Sequence, residues 1–361
     1  MPKIDQLLDI VKKAGASDLH LAAESEPLVR VAGSLQKTRH KKLDSESIRS
    51  LIYEILTDDQ IRRFEKEGDL DISYGVKGIA RFRINVFHAY RGVAAAVRLI
   101  PDRISTLDTL GFPESVGELV QARSGLMLVT GPTNSGKTTT LAALIDHINT
   151  NFSRHIISLE DPVEYVHENK NSLVTQRQIG LHAGSFSAGL RAALREDPDV
   201  VVVGELRDPE TISLAITAAE VGLLVLGTLH TNTAANTIDR IIDVFPADQQ
   251  QQIRVMLANS LLGVISQQLV QRADKPGRVA AYELLVRTNS IAHLIREGKT
   301  HQIPNVIQSS RKLGMRQLDS HLKALVDSGI VNVSEAVRVA ADPSQFCERA
   351  LNPDKELVET T

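Results

Sequence analysis

One stretch constrains this chain more than any other: "LMLVTGPTNSGKTTTLAALI", residues 126–145. An apolar run stops at Gly131, and "GPTNSGKT" fits the spacing G-x-x-x-x-G-K-[ST]. That spacing works only between a strand and a helix, and the quoted stretch supplies both. Gly131 and Gly136 let the backbone N–H groups turn inward around phosphate oxygens. Lys137 reaches the β- and γ-phosphates, and the Thr138 hydroxyl ligates Mg²⁺. Thr139 begins a helix whose N-terminal dipole favours an anion. The run Gly131, Pro132, Thr133, Asn134, Ser135, Gly136, Lys137, Thr138 and Thr139 is therefore expected to hold a nucleoside triphosphate.

Around it the sequence alternates buried strands with helices from about residue 114. "GLMLVTG", "RHIISLE", "DVVVVGE" and "LLVLGTLH" are short continuous apolar runs ending in small or polar residues. Such runs suit a parallel sheet covered on both faces. Ligands of such sheets sit beyond the carboxyl ends of the strands, so the run-ending residues should converge. Glu160 and Asp161 end the second run, Glu205 the third and His230 the fourth. Where a typical P-loop enzyme has an aspartate for Mg²⁺, this chain has Gly204 followed by Glu205. A carboxylate at such a strand end can orient and polarise an attacking water. His230 can sense the γ-phosphate from the same edge. The region after about Ile253 is expected to be mostly helical.

Residues 1–100 read as a separate mixed α/β domain. An amphipathic helix carries Ile4, Leu7, Leu8, Ile10 and Val11 at helical spacing. Short runs "LVRVAG" and "DLDISYGV", a helix over about Ser45–Glu67 and the strand pair "IARFRINVFHAY" and "GVAAAVRLI" follow. Arg81, Arg83, Arg91 and Arg98 lie on or beside that pair, and arginine suits bidentate contact with phosphate oxygens. "PDRISTLDTLGFPE" has two prolines, a glycine and little periodicity, which marks residues 101–113 as a linker to a second domain over 114–361. "KTRHKK" is read as a solvated turn.

Bulk properties exclude several classes. The net charge of −3 gives no global basic field for nucleic acid or an acidic membrane. No stretch of about 18 apolar residues is present, and "MPKIDQLLDIVKKAG" lacks the core of a signal peptide. The single cysteine, Cys347, rules out a disulfide framework and a four-cysteine zinc site. A reducing, cytoplasmic compartment is the expectation, with membrane contact only through partners.

In combination these motifs resemble the PilT-type twitching-motility ATPases of the type II/IV secretion ATPase superfamily. The P-loop "GPTNSGKTTT", the acidic box "HIISLEDPVEY", the Walker B segment "LREDPDVVVVGELRDPET" and the histidine box "LGTLHTNTA" stand in family order. "GASDLHL" and "VTQRQIG" match as well. The resemblance implies an α/β fold: a PAS-like N-terminal domain and a RecA-like ATPase domain, assembled as a hexameric ring. It implies ATP and Mg²⁺ as cofactors, with Glu205 as catalytic glutamate, Glu160 supporting metal or water, and His230 in the histidine box. Arg83 and Arg98 best match the family's arginines, which come from the N-terminal domain to meet the nucleotide.

The chain lacks the long N-terminal extension and four-cysteine insertion of extension and secretion ATPases. "SIAHLIREGKTHQI" at 290–303 resembles the retraction branch's AIRNLIRE motif, departing at Ser290, Ala292 and His293, and "GMRQLDSHL" looks alike too. Asn134 stands where the family has glycine, and Leu223 where it has histidine. The resemblance implies a type IV pilus retraction motor at the inner membrane, acting through a platform protein on pilin. An accessory retraction paralogue, an assembly ATPase, a RecA-like nucleic-acid motor and a non-hydrolysing ATP sensor are the alternatives. The 4% aromatic content offers few stacking platforms for single strands.

Overall fold

The computed structural model describes residues 2–31, 34–100 and 103–346, so Cys347 and the tail "NPDKELVETT", expected to fray, lie outside the described residues. The chain divides into two compact units, one of described residues up to Ile104 with Pro162–Val166, the other of Ser105–Asp161 with the described residues from His167 on. The expected α/β class holds in both.

The first unit is built on six antiparallel strands: β1 (Asp18–Leu21), β2 (Leu28–Val31), β3 (Ser34–Lys37), β4 (Asp69–Val76), β5 (Ala80–Ala89) and β6 (Gly92–Ile100). Their order across the sheet is β3-β2-β1-β6-β5-β4. Strict alternation along β5 sends Ala80, Phe82, Ile84 and Val86 into the core and leaves Arg81, Arg83 and Asn85 on the other face. Helix α1 (Ile4–Lys13) buries Ile4, Leu7, Leu8 and Val11 in that same core, while Ile10 stays exposed. The single helix expected over Ser45–Glu67 is two, α2 (Ser45–Tyr53) and α3 (Asp58–Glu67). The break has a local cause. The Thr57 hydroxyl accepts from the Gln60 N–H and the Gln60 side chain accepts from the Thr57 N–H, a reciprocal cap that starts a new helix.

The second unit carries α4 (Glu114–Leu119), β7 (Gly125–Thr130), α5 (Lys137–Asn151), β8 (His155–Glu160), β9 (Leu173–Gln178), α6 (Phe186–Ala193), β10 (Val200–Val203), α7 (Pro209–Glu220) and β11 (Leu224–Leu229). It continues with α8 (Ala234–Asp243), α9 (Ala247–Ser260), β12 (Leu261–Gln271), β13 (Arg278–Val286), α10 (Asn289–Arg296), α11 (Ile303–Ser309), α12 (Leu318–Asp327) and α13 (Val333–Val339). The strand order is β13-β12-β7-β11-β10-β8-β9. β7, β11, β10 and β8 run parallel and are buried almost throughout, which is why their sequences show runs instead of alternation.

Two expectations change here. After Ile253 helices α10 to α13 dominate as expected, but two strands were not expected there: β12 pairs parallel with β7 and antiparallel with β13. "LLGVISQQLV" is buried on both faces, so its period is hidden and β-branched Val264, Ile265 and Val270 are the remaining strand signal. Within the stretch expected as linker, Leu107 and Phe112 are buried in the second unit's core beside Val116 and Tyr282.

Candidate active site

The loop after β7 takes the shape that its glycines permit. At Gly131, with φ +146°, an added Cβ would lie 2.2 Å from the Gln267 carbonyl oxygen, so no side chain fits. Gly136, at φ 89°, is the N-cap of α5. Its left-handed conformation feeds the chain straight into the helix, which therefore begins at Lys137 and not, as expected, at Thr139. Asn134 also lies in the left-handed region, at φ 65°. Asparagine tolerates that region best among residues with a side chain, so the departure from glycine keeps the loop conformation.

α5 has no side-chain cap and no acidic residue in its first turn. The start of α5 thus presents its N–H groups, at the positive end of the helix dipole, without a carboxylate of its own to neutralise them. Ser135 is buried, and its hydroxyl has no hydrogen-bond partner among the described residues. Pro132, Thr133, Asn134 and Thr138 are exposed and Thr139 is half-buried. A Gly131 that admits no Cβ, a left-handed Gly136, a helix start without a side-chain cap and a buried Ser135 hydroxyl together fit a phosphate chain.

Lys137 Nζ donates to the carbonyls of Gly131 (2.8 Å) and Pro132 (3.0 Å) and approaches His230 Nδ1 at 3.4 Å. Burial pulls the lysine pKa below its ordinary value, against the raising charge of Glu205. His230 Nε2 lies 3.2 Å from Glu205 Oε1, which Arg207 Nε also reaches at 2.5 Å. An ammonium can only donate, so Nδ1 accepts and Nε2 carries the proton toward Glu205. Burial raises the Glu205 pKa, but Arg207 and His230 outweigh it and hold the carboxyl below its usual range. Lys137 at the start of α5, Glu205 after β10 and His230 after β11 form one continuous chain.

Glu160 ends β8, where Leu159 is in register with Val203, so it sits beside Gly204. Its Oε1 accepts from Ser158 Oγ (2.6 Å) and Gln176 Nε2 (2.9 Å). A Cβ on Gly204 would lie 3.0 Å from the Leu159 carbonyl oxygen. Backbone packing, then, explains why the usual aspartate is absent there and the carboxylate comes one residue later. Leu223 precedes β11 and His230 follows it; at about 3.3 Å per residue they are roughly 20 Å apart, at opposite sheet edges. The loss of the family's first histidine does not touch the site.

On the first unit's sheet, Arg83 and Arg98 are direct cross-strand partners. Arg83 binds Asp71 through Nε (2.9 Å) and Nη2 (2.5 Å), and Glu164 through Nη1 (2.9 Å). Burial lowers its pKa, but the two carboxylates more than reverse this. Arg98 Nε lies 3.1 Å from Asp18. Arg81 shares their face, whereas Arg91 stands in the hairpin turn between β5 and β6.

Sequence reasoning did not single out Gln176, Gln267, Arg207, Asp71 or Glu164. For Gln267 a signal existed, since "QQ" interrupts an otherwise apolar strand. The buried hydroxyls of Thr130, Ser266 and Thr237, which bond in sequence beside the P-loop strand, gave none.

The family model for "Type II/IV secretion system protein" matches residues 1–338. The chain belongs to that family. It is 47% identical over 343 residues to the type IV pilus retraction ATPase PilT of Pseudomonas aeruginosa, covering 95% of this chain and 99% of that one. A twitching motility protein of Neisseria gonorrhoeae is 44% identical, across 88% of this chain and 85% of its own length. The fold superposes on a crystal structure of the pilus retraction motor PilT with bound ADP at a TM-score of 0.85, with 45% identity, 94% of this chain and 98% of that chain covered. Within the type II/IV secretion family the resemblance is thus to PilT-type ATPases. Among the described residues no helix is long and apolar enough to cross a membrane.

Proposed function

We propose that this chain is an ATPase motor that drives type IV pilus retraction, working as a hexameric ring. The observation that carries the reading is the Lys137–His230–Glu205 chain at the mouth of the phosphate loop. ATP phosphates replace the Gly131 and Pro132 carbonyls as acceptors for Lys137, and amides at the start of α5 take the rest. Thr138 and Glu160 would hold Mg²⁺, and the ion would supply neutralisation of charge developing on the phosphates. A Mg²⁺ ion keeps several waters and needs only one or two protein ligands, so the absence of a three-carboxylate cluster among the described residues is no obstacle. Glu205, ionised at neutral pH, orients the attacking water and accepts its proton. Arg207 and His230 fix its rotamer.

Arg83 and Arg98 of one copy stabilise transition-state charge on the nucleotide of the next. Successive closures around the ring act on a platform protein in the inner membrane and withdraw pilin from the pilus base. The near-full-length likeness to PilT supports this choice of cargo. Membrane attachment is through that partner, on the cytoplasmic side.

Replacing Glu205→Gln keeps size and hydrogen bonding but removes the base. Turnover should fall by about a thousandfold while Mg·ATP still binds. Retained turnover would move the base to Glu160.

A further inference from the structure

The phosphate loop is held from behind by one buried amide. Gln267, on β12, is 1% exposed. Its Oε1 accepts from the Thr140 hydroxyl at 2.8 Å, and its Nε2 donates to the Ser135 carbonyl at 2.8 Å. Ser135 is in the loop and Thr140 in the first turn of α5. The amide thus ties loop to helix across Gly136, where an added Cβ would meet Nε2 at 3.1 Å. The orientation is forced: a carbonyl cannot donate, so the amide nitrogen must face Ser135.

The main chain of Gln267 fixes the loop's other end, since its carbonyl oxygen occupies the space of a Gly131 Cβ. One residue earlier, Ser266 is in register with Thr130 and hydrogen-bonds its hydroxyl at 2.8 Å. Two consecutive residues of β12 therefore brace the strand end, the loop and the helix start.

We infer that Gln267 is a positioning residue for the phosphate loop, holding its amides in the arrangement that receives the nucleotide. This rests on the reading that the loop binds nucleotide. A carboxylate in its place would set two acceptors against each other at the Ser135 carbonyl, and an apolar side chain would leave that carbonyl without its Gln267 donor. Either shifts the loop toward conformers whose amides diverge, and affinity falls with the competent fraction.

The test is calorimetric titration of Mg·ADP into the full chain and its variants, with thermal melts of the nucleotide-free proteins alongside. Gln267→Met should weaken Mg·ADP at least about tenfold, as expected for a carbonyl left without its Gln267 donor. Thr140→Val should weaken it less, Thr140→Ser should restore it, and Gln267→Met with Thr140→Val should bind no worse than Gln267→Met alone, because both break one bridge. A merely structural role would lower the melts and leave the affinities together. Folded Gln267→Met binding within about twofold of wild type would overturn the inference. Should Gln267→Met not fold, equal affinities for Thr140→Val and Thr140→Ser would overturn it. If the unmodified chain binds no Mg·ADP, the nucleotide reading fails first and takes this one with it.

Discussion

At the scale of single residues, the site and the core set opposite demands on ionisable groups. Arg207 and His230 hold the Glu205 carboxyl below its usual range, while burial pulls Lys137 down against the raising charge of Glu205. His321, on α12, is held neutral in the core, where its Nδ1 accepts from the Tyr282 N–H at 3.1 Å. Burial, then Arg316, pushes its pKa down from 6.5 to about 4. Burial does the same to His167, also to about 4. The unfolded chain therefore binds protons that the folded chain refuses, so stability is full above about pH 6.5 and falls as pH drops toward 4. His321→Asn, which keeps an acceptor near Nδ1 but cannot titrate, should flatten the slope of melting temperature against pH by about half across that window. An unchanged slope would mean that other groups set the acid sensitivity.

At the scale of elements, what was legible depended on whether a motif's chemistry lies in its own segment. The P-loop, the strand ends at Glu160, Glu205 and His230, and the strand pair bearing Arg83 and Arg98 all stand out in the sequence. Each is a local pattern with a physical reason for its spacing. Hidden were the parts whose meaning lies across the sheet. Gln267 is 132 residues from its partner Ser135, and Gln176 reaches Glu160 only because β9 lies beside β8. β12 and β13 were missed because strands buried on both faces lose the alternation that marks a strand. Gly204 shows the converse, where a departure from the usual aspartate follows from strand packing that the sequence does not display. Introducing Gly204→Asp should destabilise the chain by about 1–3 kcal/mol, because its Cβ presses on the Leu159 carbonyl. Denaturant titration reads this directly, and an unaffected midpoint would mean that β8 and β10 can separate at their ends.

At the scale of the whole molecule, two units carry different halves of the proposed chemistry. The loop proposed to bind phosphate is in the second unit, and the arginine pair is in the first, already engaged with Asp71, Glu164 and Asp18. If these arginines serve a neighbouring copy, Arg83→Ala with Arg98→Ala should lower ATP turnover of the assembled ring about a hundredfold or more. Mg·ADP binding at the intact P-loop should persist. Turnover equal to wild type would remove both from the mechanism.

The central claim is that ATP held at "GPTNSGKT" withdraws pili, and cells test it most directly. In cells lacking this chain, surface pili would be counted by electron microscopy and surface motility scored together. Abundant pili with no twitching are expected, because assembly continues while withdrawal stops. Few or no pili would contradict it and make the chain a motor for extension.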